Sequence, residues 1–177
     1  LIIAHEVTEL VLARREVETL LHHTQASEQS QIAVLDALAA QSLVAVSYQR
    51  GPEHVYQMAN PLYRTLLDRD VVGRSLSQAL PELLEQGFPT MLTRVYDSGV
   101  PVLSREHPVH VNQGATKPPH EFLCDFTYQP VRAADGGVDG ILTLAVDVTE
   151  QVRLRREAER LAEEERTRRD FEQHLIG

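Results

Sequence analysis

An internal repeat constrains the fold of this 177-residue chain more than any other feature of its sequence. Residues 1–20, LIIAHEVTELVLARREVETL, match residues 142–161, LTLAVDVTEQVRLRREAERL, at 11 of 20 positions with a constant offset of 141. Both copies begin with a short apolar run, pass through an acidic residue followed by Val-Thr-Glu, and then become charged with helical spacing. Each copy is therefore predicted to be the end of a β-strand that leads directly into a helix.

The second copy also predicts where its helix begins. Asp147 and Glu150 have the spacing of a capping box, in which a short acidic side chain accepts hydrogen bonds from free amides of the first turn. We expect the helix to start near residue 148, and Asp147, Thr149 and Glu150 to form the junction that transmits strain from the sheet to the helix. Because the first copy lacks everything upstream, residues 1–26 are expected to be the last strand of a preceding domain and a linker helix.

Charge, cysteine content and hydropathy narrow the class of protein. The formal net charge of -9 and the alternation of Arg with Glu disfavour binding to a nucleic acid backbone. No apolar run is long enough to cross a bilayer, and the N-terminus lacks the pattern of a signal peptide. The single cysteine, Cys124, cannot form an internal disulfide, which agrees with a reducing compartment. We therefore expect a cytoplasmic chain without nucleic acid partners and without a membrane span.

The region between the two copies predicts five strands and a group of short helices. The predicted strands are 43–48, 54–59, 102–111, 120–131 and 138–148, the last two joined by a turn at Asp135-Gly136-Gly137. Asn60 followed by Pro61 is a strong helix start. Breaks at Pro81, Gly87 and Pro89 divide 73–98 into two short helical pieces and a longer helix. This order predicts an α+β fold, with a mixed sheet whose inner face is covered by the crossover helices.

Three stretches of the sequence resemble bacterial PAS domains of multi-domain sensor histidine kinases. They are MANPLYRTLL at 58–67, DVVGRSLSQALPEL at 70–83 and FTYQPVRAADGGVDGILTLAVDVTEQV at 126–152. The resemblance implies a PAS fold, a five-stranded antiparallel sheet with small helices over one face and long helices at both ends. It implies four segments: the end of a preceding PAS domain with its linker (1–26), a flanking helix (27–41), a PAS core (42–149) and a signalling helix or coiled coil (150–177).

The flanking helices carry apolar residues at alternating steps of three and four, which is typical of helices that pair. These residues are Leu10, Ala13, Val17 and Leu20 near the N-terminus and Leu154, Ala158 and Leu161 near the C-terminus. Ile32 and Leu35 lie on one face of the helix at 27–41, which the resemblance places in a dimer interface. Glu165 and Arg168 interrupt the C-terminal pattern, so pairing there is predicted to be weak or switchable. We expect a homodimer; whether the helices run parallel, and whether 6–41 is one helix or two, stays open.

The C-terminal sequence RRDFEQHLIG resembles the segment of histidine kinases that leads into the helix bearing the phosphoacceptor histidine. His174 is followed by Leu-Ile-Gly and does not match the phosphoacceptor motif. The resemblance therefore implies a downstream kinase domain in the same polypeptide, with catalysis outside this region. Alternative outputs are a diguanylate cyclase, a transcription activator, or none, if the domain is only a dimerisation spacer with a filled core.

One group of apolar residues is predicted to form either a plain core or a ligand pocket. Alternation on one strand and spacing along the facing helix bring the group together; its members are Met58, Phe88, Met91, Leu92, Val95, Phe122, Cys124, Phe126 and Tyr128. A plain core is the more frequent outcome for such a group, and a small apolar or weakly polar ligand is the alternative.

The sequence argues against the common PAS cofactors and against an enzyme. The long helix over the sheet contains no histidine for haem, and Cys124 lies in a strand, whereas flavin photoreceptors carry their reactive cysteine on a helix. The histidines lack metal-ligand spacing, and no convergent polar cluster is recognisable in the core. We expect a regulatory domain without metal, with its cofactor or ligand undefined.

Overall fold

The structure, a computed structural model, describes residues 44–113 and 118–175. The predictions for residues 1–43 lie outside the described residues. They comprise the first repeat copy, the helix at 27–41 and the pairing residues Leu10, Ala13, Val17, Leu20, Ile32 and Leu35.

Five strands form one antiparallel sheet. They are β1 Ala45–Arg50, β2 Val55–Ala59, β3 Val102–Val111, β4 His120–Arg132 and β5 Val138–Asp147. Their order across the sheet is β2-β1-β5-β4-β3, and every neighbouring pair is antiparallel. The α+β fold with a five-stranded antiparallel sheet, which the resemblance implies, is confirmed, whereas the mixed sheet expected from the order of elements is not found. The last strand, β5, occupies the centre of the sheet, and its residues from Ile141 to Ala145 are buried on both faces.

The crossover from β2 to β3 consists of short helices that cover one face of the sheet. They are α1 Pro61–Leu67, α2 Leu76–Ala79, a 3-10 helix Pro81–Gln86, and α3 Phe88–Ser98. Asn60 caps α1 as predicted, because its side chain accepts a hydrogen bond from the Tyr63 N–H, and Pro61 occupies the first turn. Gly87, with a φ of 85°, separates the 3-10 helix from α3, in a backbone conformation that favours glycine.

The sheet separates two apolar layers because successive side chains of a strand point to opposite faces. The inner layer lies between the sheet and the crossover helices and includes Tyr56, Phe126 and Ile141. The outer layer consists of Val44, Val46, Tyr48, Met58, Leu142 and Leu144. The neighbours Ile141 and Leu142 are both fully buried, one in each layer. Each central strand therefore has few positions where a polar side chain could reach solvent.

The long C-terminal helix, α4, spans Thr149–Leu175 and is about 40 Å long. Val152 is its last buried residue, and every residue from 156 to 174 is exposed. Most of α4 thus projects beyond the core of its own domain. None of the helices in the described residues is both long and apolar enough to cross a membrane.

Candidate ligand cavity and signal junction

A small cavity lies between the inner face of the sheet and the crossover helices. Its volume is about 50 Å³. Of the residues predicted to face one another here, five line the cavity: Phe88, Phe122, Cys124, Phe126 and Tyr128. Leu92 and Val95 pack in the same apolar layer, and the half-buried Met91 packs against it. The structure therefore brings most of the predicted group together around a space that is not completely filled.

The prediction that Met58 faces this group is wrong, because Met58 lies in the outer apolar layer. The reason is a β-bulge in β2. Met58 pairs with Tyr48, but the next pair along the ladder joins Tyr56 to Gln49, so Gln57 is an extra residue without a partner in the ladder. The bulge reverses the alternation, which turns Tyr56 inward and Met58 outward. A regular alternation read from the sequence places both on the same face.

The floor of the cavity is polar, which the sequence analysis missed. Gln49 and Thr143 line the cavity on the neighbouring strands β1 and β5, and Ser47 lies directly opposite Thr143 in the ladder. All three are at least 96% buried. Gln49 Oε1, Thr143 Oγ1 and Ser47 Oγ have no hydrogen-bond partner. A strand pattern such as AVSYQR suggests that its polar residues face solvent. Only the tertiary structure shows that both faces of β1 and β5 are buried, one in the inner apolar layer and one in the outer.

Three tyrosines, from β2, α1 and β4, add to this polar cluster. The Tyr56 and Tyr63 hydroxyl oxygens are 3.1 Å apart, within hydrogen-bond distance. Burial raises the pKa of Tyr56, Tyr63 and Tyr128, so all three phenols stay neutral across the physiological range. Neighbouring side chains oppose this effect, because Ser47 lowers the pKa of Tyr63 and Gln49 lowers the pKa of Tyr56, although neither Ser47 Oγ nor Gln49 Oε1 meets hydrogen-bond geometry. The cluster is therefore rich in neutral hydrogen-bonding groups and contains no charge.

Cys124 is a buried structural thiol in this cavity. Its side chain is 4% exposed, and burial raises its pKa to about 12. The Sγ atom lies 3.5 Å from the carbonyl oxygen of Asp125. Such a thiol is a poor nucleophile at neutral pH.

At pH 8, Cys124 in the folded protein is expected to react with iodoacetamide about a thousandfold more slowly than an ordinary exposed thiol. A pKa of about 12, against an ordinary value of 9.0, lowers the thiolate population by about this factor. Because only the thiolate reacts, the rate is expected to rise about tenfold per pH unit between pH 7 and 9. Mass spectrometry of timed samples measures the rate, with the urea-unfolded chain as control. A folded rate close to the unfolded rate would contradict this prediction.

A second site, the predicted signal junction, joins the end of β5 to the start of α4. The Asp147 carboxylate accepts hydrogen bonds from the Thr149 N–H at 2.9 Å and from its hydroxyl at 2.5 Å. The Thr149 hydroxyl oxygen accepts from the Leu123 N–H at 2.9 Å, and the Val148 N–H donates to the Leu123 carbonyl at 2.8 Å. The first turn of α4 is thereby fixed to the backbone of β4 as well as to its own strand.

Glu150 takes a different role from the one predicted. In the expected capping box its carboxylate would turn back to Asp147, but it pairs with Arg153 at 2.6 Å. Asp147 Oδ1 accepts instead from Thr149, two residues further on. Asp147 is satisfied by Thr149, because Thr149 donates both its N–H and its hydroxyl to the same carboxylate oxygen, and Glu150 pairs with Arg153.

An ion pair that the sequence analysis missed ties α4 to β3. The Arg155 guanidinium forms two hydrogen bonds of 3.0 Å with the Glu106 carboxylate, and this partner lowers the pKa of Glu106. Glu106 lies in a β-bulge of β3 with a φ of 49°, and its N–H donates to Asp125 at 2.6 Å. The bulge orients the Glu106 side chain, so α4 contacts β3 and β4 before it leaves the domain.

The predicted pairing residues of α4 lie on the surface. Leu154 and Leu161 are 52% and 50% exposed, and Ala158 is also exposed. Around them run ion pairs of the i,i+4 kind, such as Arg160 with Glu164. Within the described residues, these apolar side chains have no partner in the domain core. Across the same described ranges, no group of three His, Cys, Asp or Glu side chains could hold a metal ion.

The family follows from a match over most of the chain. Residues 39–153 match the family model described as the PAS fold. The chain therefore belongs to the PAS fold family, whose domains are regulatory sensory modules and not catalytic domains.

Similarities to solved structures support the fold. The PAS domain of BvgS from Bordetella pertussis is 19% identical with a TM-score of 0.55, covering 76% of this chain and 98% of that domain. A PAS domain from Colwellia psychrerythraea is 13% identical with a TM-score of 0.52, covering 70% and 99%. An RNA-binding light-oxygen-voltage receptor is 22% identical with a TM-score of 0.56; the match covers 78% of this chain but only 39% of the receptor.

Proposed function

We propose that this chain is the sensory and signal-relay module of a bacterial sensor histidine kinase, acting as a homodimer through paired helices. The observation that carries the proposal is the junction at the start of α4. Asp147, Thr149 and the Leu123 backbone join the helix to two central strands, and Arg155 joins it to Glu106 on a third. Because a change in the spacing of these strands displaces all these contacts, it alters the direction of the helix.

The projecting part of α4 supports pairing with a second copy. Leu154 and Leu161 are seven residues apart and half exposed, as expected of one seam position in successive heptads. Glu165 and Arg168 continue the same seam with charge, which weakens the pairing further along. A seam that is stable near the domain and weak beyond it has two accessible arrangements, which a sensor needs in order to switch.

The proposal that the output domain is a kinase rests on the sequence at the end of the chain. The end of the chain, RRDFEQHLIG, resembles the approach to the phosphoacceptor helix of histidine kinases. The RNA binding of the light-oxygen-voltage receptor is not transferred to this chain, because a net charge of -9 opposes binding to a phosphate backbone. Sequencing the coding region downstream of the Gly177 codon tests the output. A His followed by Glu or Asp, Leu-Arg and a Pro supports a kinase; a cyclase or activator domain would overturn it.

Replacing Leu161 with Glu is expected to convert the dimer of the 177-residue chain into a monomer at micromolar concentration. In a parallel pair the substitution places two carboxylates opposite each other at a seam position, which removes apolar burial and adds repulsion. Native mass spectrometry measures the oligomer mass. Leu103→Glu is the matched control, since Leu103 is also apolar and 59% exposed but lies on β3. If Leu161→Glu stays dimeric, or Leu103→Glu dissociates the dimer equally, α4 is not the pairing surface.

A further inference from the structure

We infer that the cavity binds a small uncharged molecule whose polar end is a hydroxyl or a primary amide, held by Gln49 and Thr143. This inference deepens the proposed sensory function by assigning the chemical class of the signal. Three observations carry it: unpartnered polar atoms on the cavity floor, the absence of charge among the described residues that line the cavity, and its volume.

The unpartnered atoms define what the ligand must offer. Gln49 and Thr143 line the cavity and are 99% and 96% buried, and neither Gln49 Oε1 nor Thr143 Oγ1 has a hydrogen-bond partner. Gln49 Oε1 can only accept a hydrogen bond, whereas the Thr143 hydroxyl can both donate and accept. Buried polar groups are almost always hydrogen-bonded in folded proteins. The missing partner must therefore donate to Gln49 and exchange a second hydrogen bond with Thr143, which a hydroxyl or a primary amide does.

The electrostatics exclude a charged ligand. None of the cavity-lining side chains, all of which lie in the described residues, is Asp, Glu, Lys, Arg or His. The buried phenols and the Cys124 thiol remain neutral because burial raises the pKa of each. A carboxylate or an ammonium group would lose its hydration without gaining a counter-charge, which is strongly unfavourable. The ligand is consequently neutral.

The volume of the cavity limits the size of the ligand, and the apolar walls determine the chemistry of the ligand's non-polar end. A cavity of about 150 Å³ accommodates benzene, and this one is about 50 Å³. The occupant is therefore smaller than benzene, with at most about four non-hydrogen atoms. Most of the other lining residues are apolar and include Leu66, Leu76, Leu83 and Val109. A polar head with a short apolar tail matches both sides.

Three molecules of almost the same shape test the inference: acetamide, acetone and acetate. Acetamide donates and accepts, acetone only accepts, and acetate is charged. Each is titrated into the 177-residue protein, and the methyl signals of Leu83, Val109 and Thr143 are followed by NMR. Acetamide is expected to give saturable shifts at these methyls with at least tenfold tighter binding than acetone, and acetate is expected to give none. Equal binding of acetone and acetamide, or saturable binding of none, would overturn the inference; the latter outcome means that water alone fills the space.

The variant Thr143→Val removes the hydroxyl and keeps the shape of the side chain. It is expected to bring the affinities for acetamide and acetone within threefold of each other, and to raise the urea midpoint of the ligand-free protein because an unpartnered hydroxyl is gone. Thr127→Val is the matched control, since Thr127 is also 4% exposed but points to the other face of β4. The probe titration of the unmodified protein decides the question if Thr143→Val fails to fold.

The same samples separate this inference from the proposed relay. Native mass spectrometry of the titrated protein gives the oligomer mass. If acetamide binds and the protein is a monomer, the ligand site is supported and the helix-pairing mechanism is contradicted. If the protein is a dimer and does not bind acetamide, the relay by paired helices is supported and the ligand site is contradicted.

Discussion

Replacing Asn60 with alanine is expected to lower the free energy of unfolding by about 3–5 kcal/mol. Asn60 is completely buried, and with the described residues its side chain makes three hydrogen bonds of 2.9 Å. Oδ1 accepts from the N–H groups of Val46 and Tyr63, and Nδ2 donates to the carbonyl of Val44. Alanine leaves these three buried backbone groups without partners, whereas an ordinary helix cap satisfies one or two. Asn60 thus joins the start of α1 to β1, the strand that carries Gln49.

Urea unfolding followed by circular dichroism measures this loss. Ser75→Ala is the matched control, because Ser75 caps α2 through a capping box with Gln78 and has no comparable link to the sheet. Its removal is expected to cost about 1 kcal/mol, the ordinary value for a cap. If Asn60→Ala costs no more than Ser75→Ala, the contacts of Asn60 with β1 contribute nothing to stability.

Replacing Gly140 with alanine is expected to destabilise the fold by about 3 kcal/mol or more, because the added methyl group overlaps a neighbouring strand. An added Cβ would lie 2.3 Å from the Gln49 carbonyl oxygen and 2.7 Å from Cε2 of Tyr48. The carbonyl belongs to the backbone of β1 and cannot rotate away. Tyr48 is fixed as well, since its hydroxyl donates to Asp139 at 2.8 Å. The β1 and β5 backbones would have to separate beside Gln49.

The midpoint of thermal or urea unfolding measures this effect. Gly137→Ala is the control in the same hairpin, because its added Cβ would meet only the Asp135 side chain, at 3.3 Å, which can rotate. The double variant Tyr48→Ala with Gly140→Ala separates the two contacts. It is expected to stay at least as unstable as Gly140→Ala, because the Gln49 carbonyl remains. A double variant with the stability of Tyr48→Ala alone would show that the ring, and not the backbone, forbids alanine.

Local patterns in the sequence predicted the elements of this fold well. The Asn60-Pro61 start of α1 and the breaks at Gly87 and Pro89 follow from properties of single residues that act over one or two turns. The strands followed from alternation and turn residues in the same way. Such signals are visible in a sequence because their causes lie within a few residues.

The residues of the cavity and of the junction were harder to predict, because their arrangement depends on contacts between residues that are far apart in the sequence. Met58 was misplaced because the bulge at Gln57 reverses the alternation of β2, and nothing within the strand itself marks the extra residue. Glu106 and Arg155 are 49 residues apart, and both belong to segments rich in charge. Neither could be chosen from its neighbours without knowing that the first turns of α4 lie beside β3.

The sequence by itself determined the order of the strands and helices, the family, and the direct connection between the last strand and the C-terminal helix. Those features depend on backbone preferences and on side-chain periodicity, which are local. The tertiary structure alone decided that Ser47, Gln49 and Thr143 are buried side by side. Their burial results from the placement of β1 beside the central strand β5, from which β1 is separated in the sequence by the whole crossover and by the other three strands. A polar residue becomes an unpartnered group in a cavity only when distant segments exclude water from it.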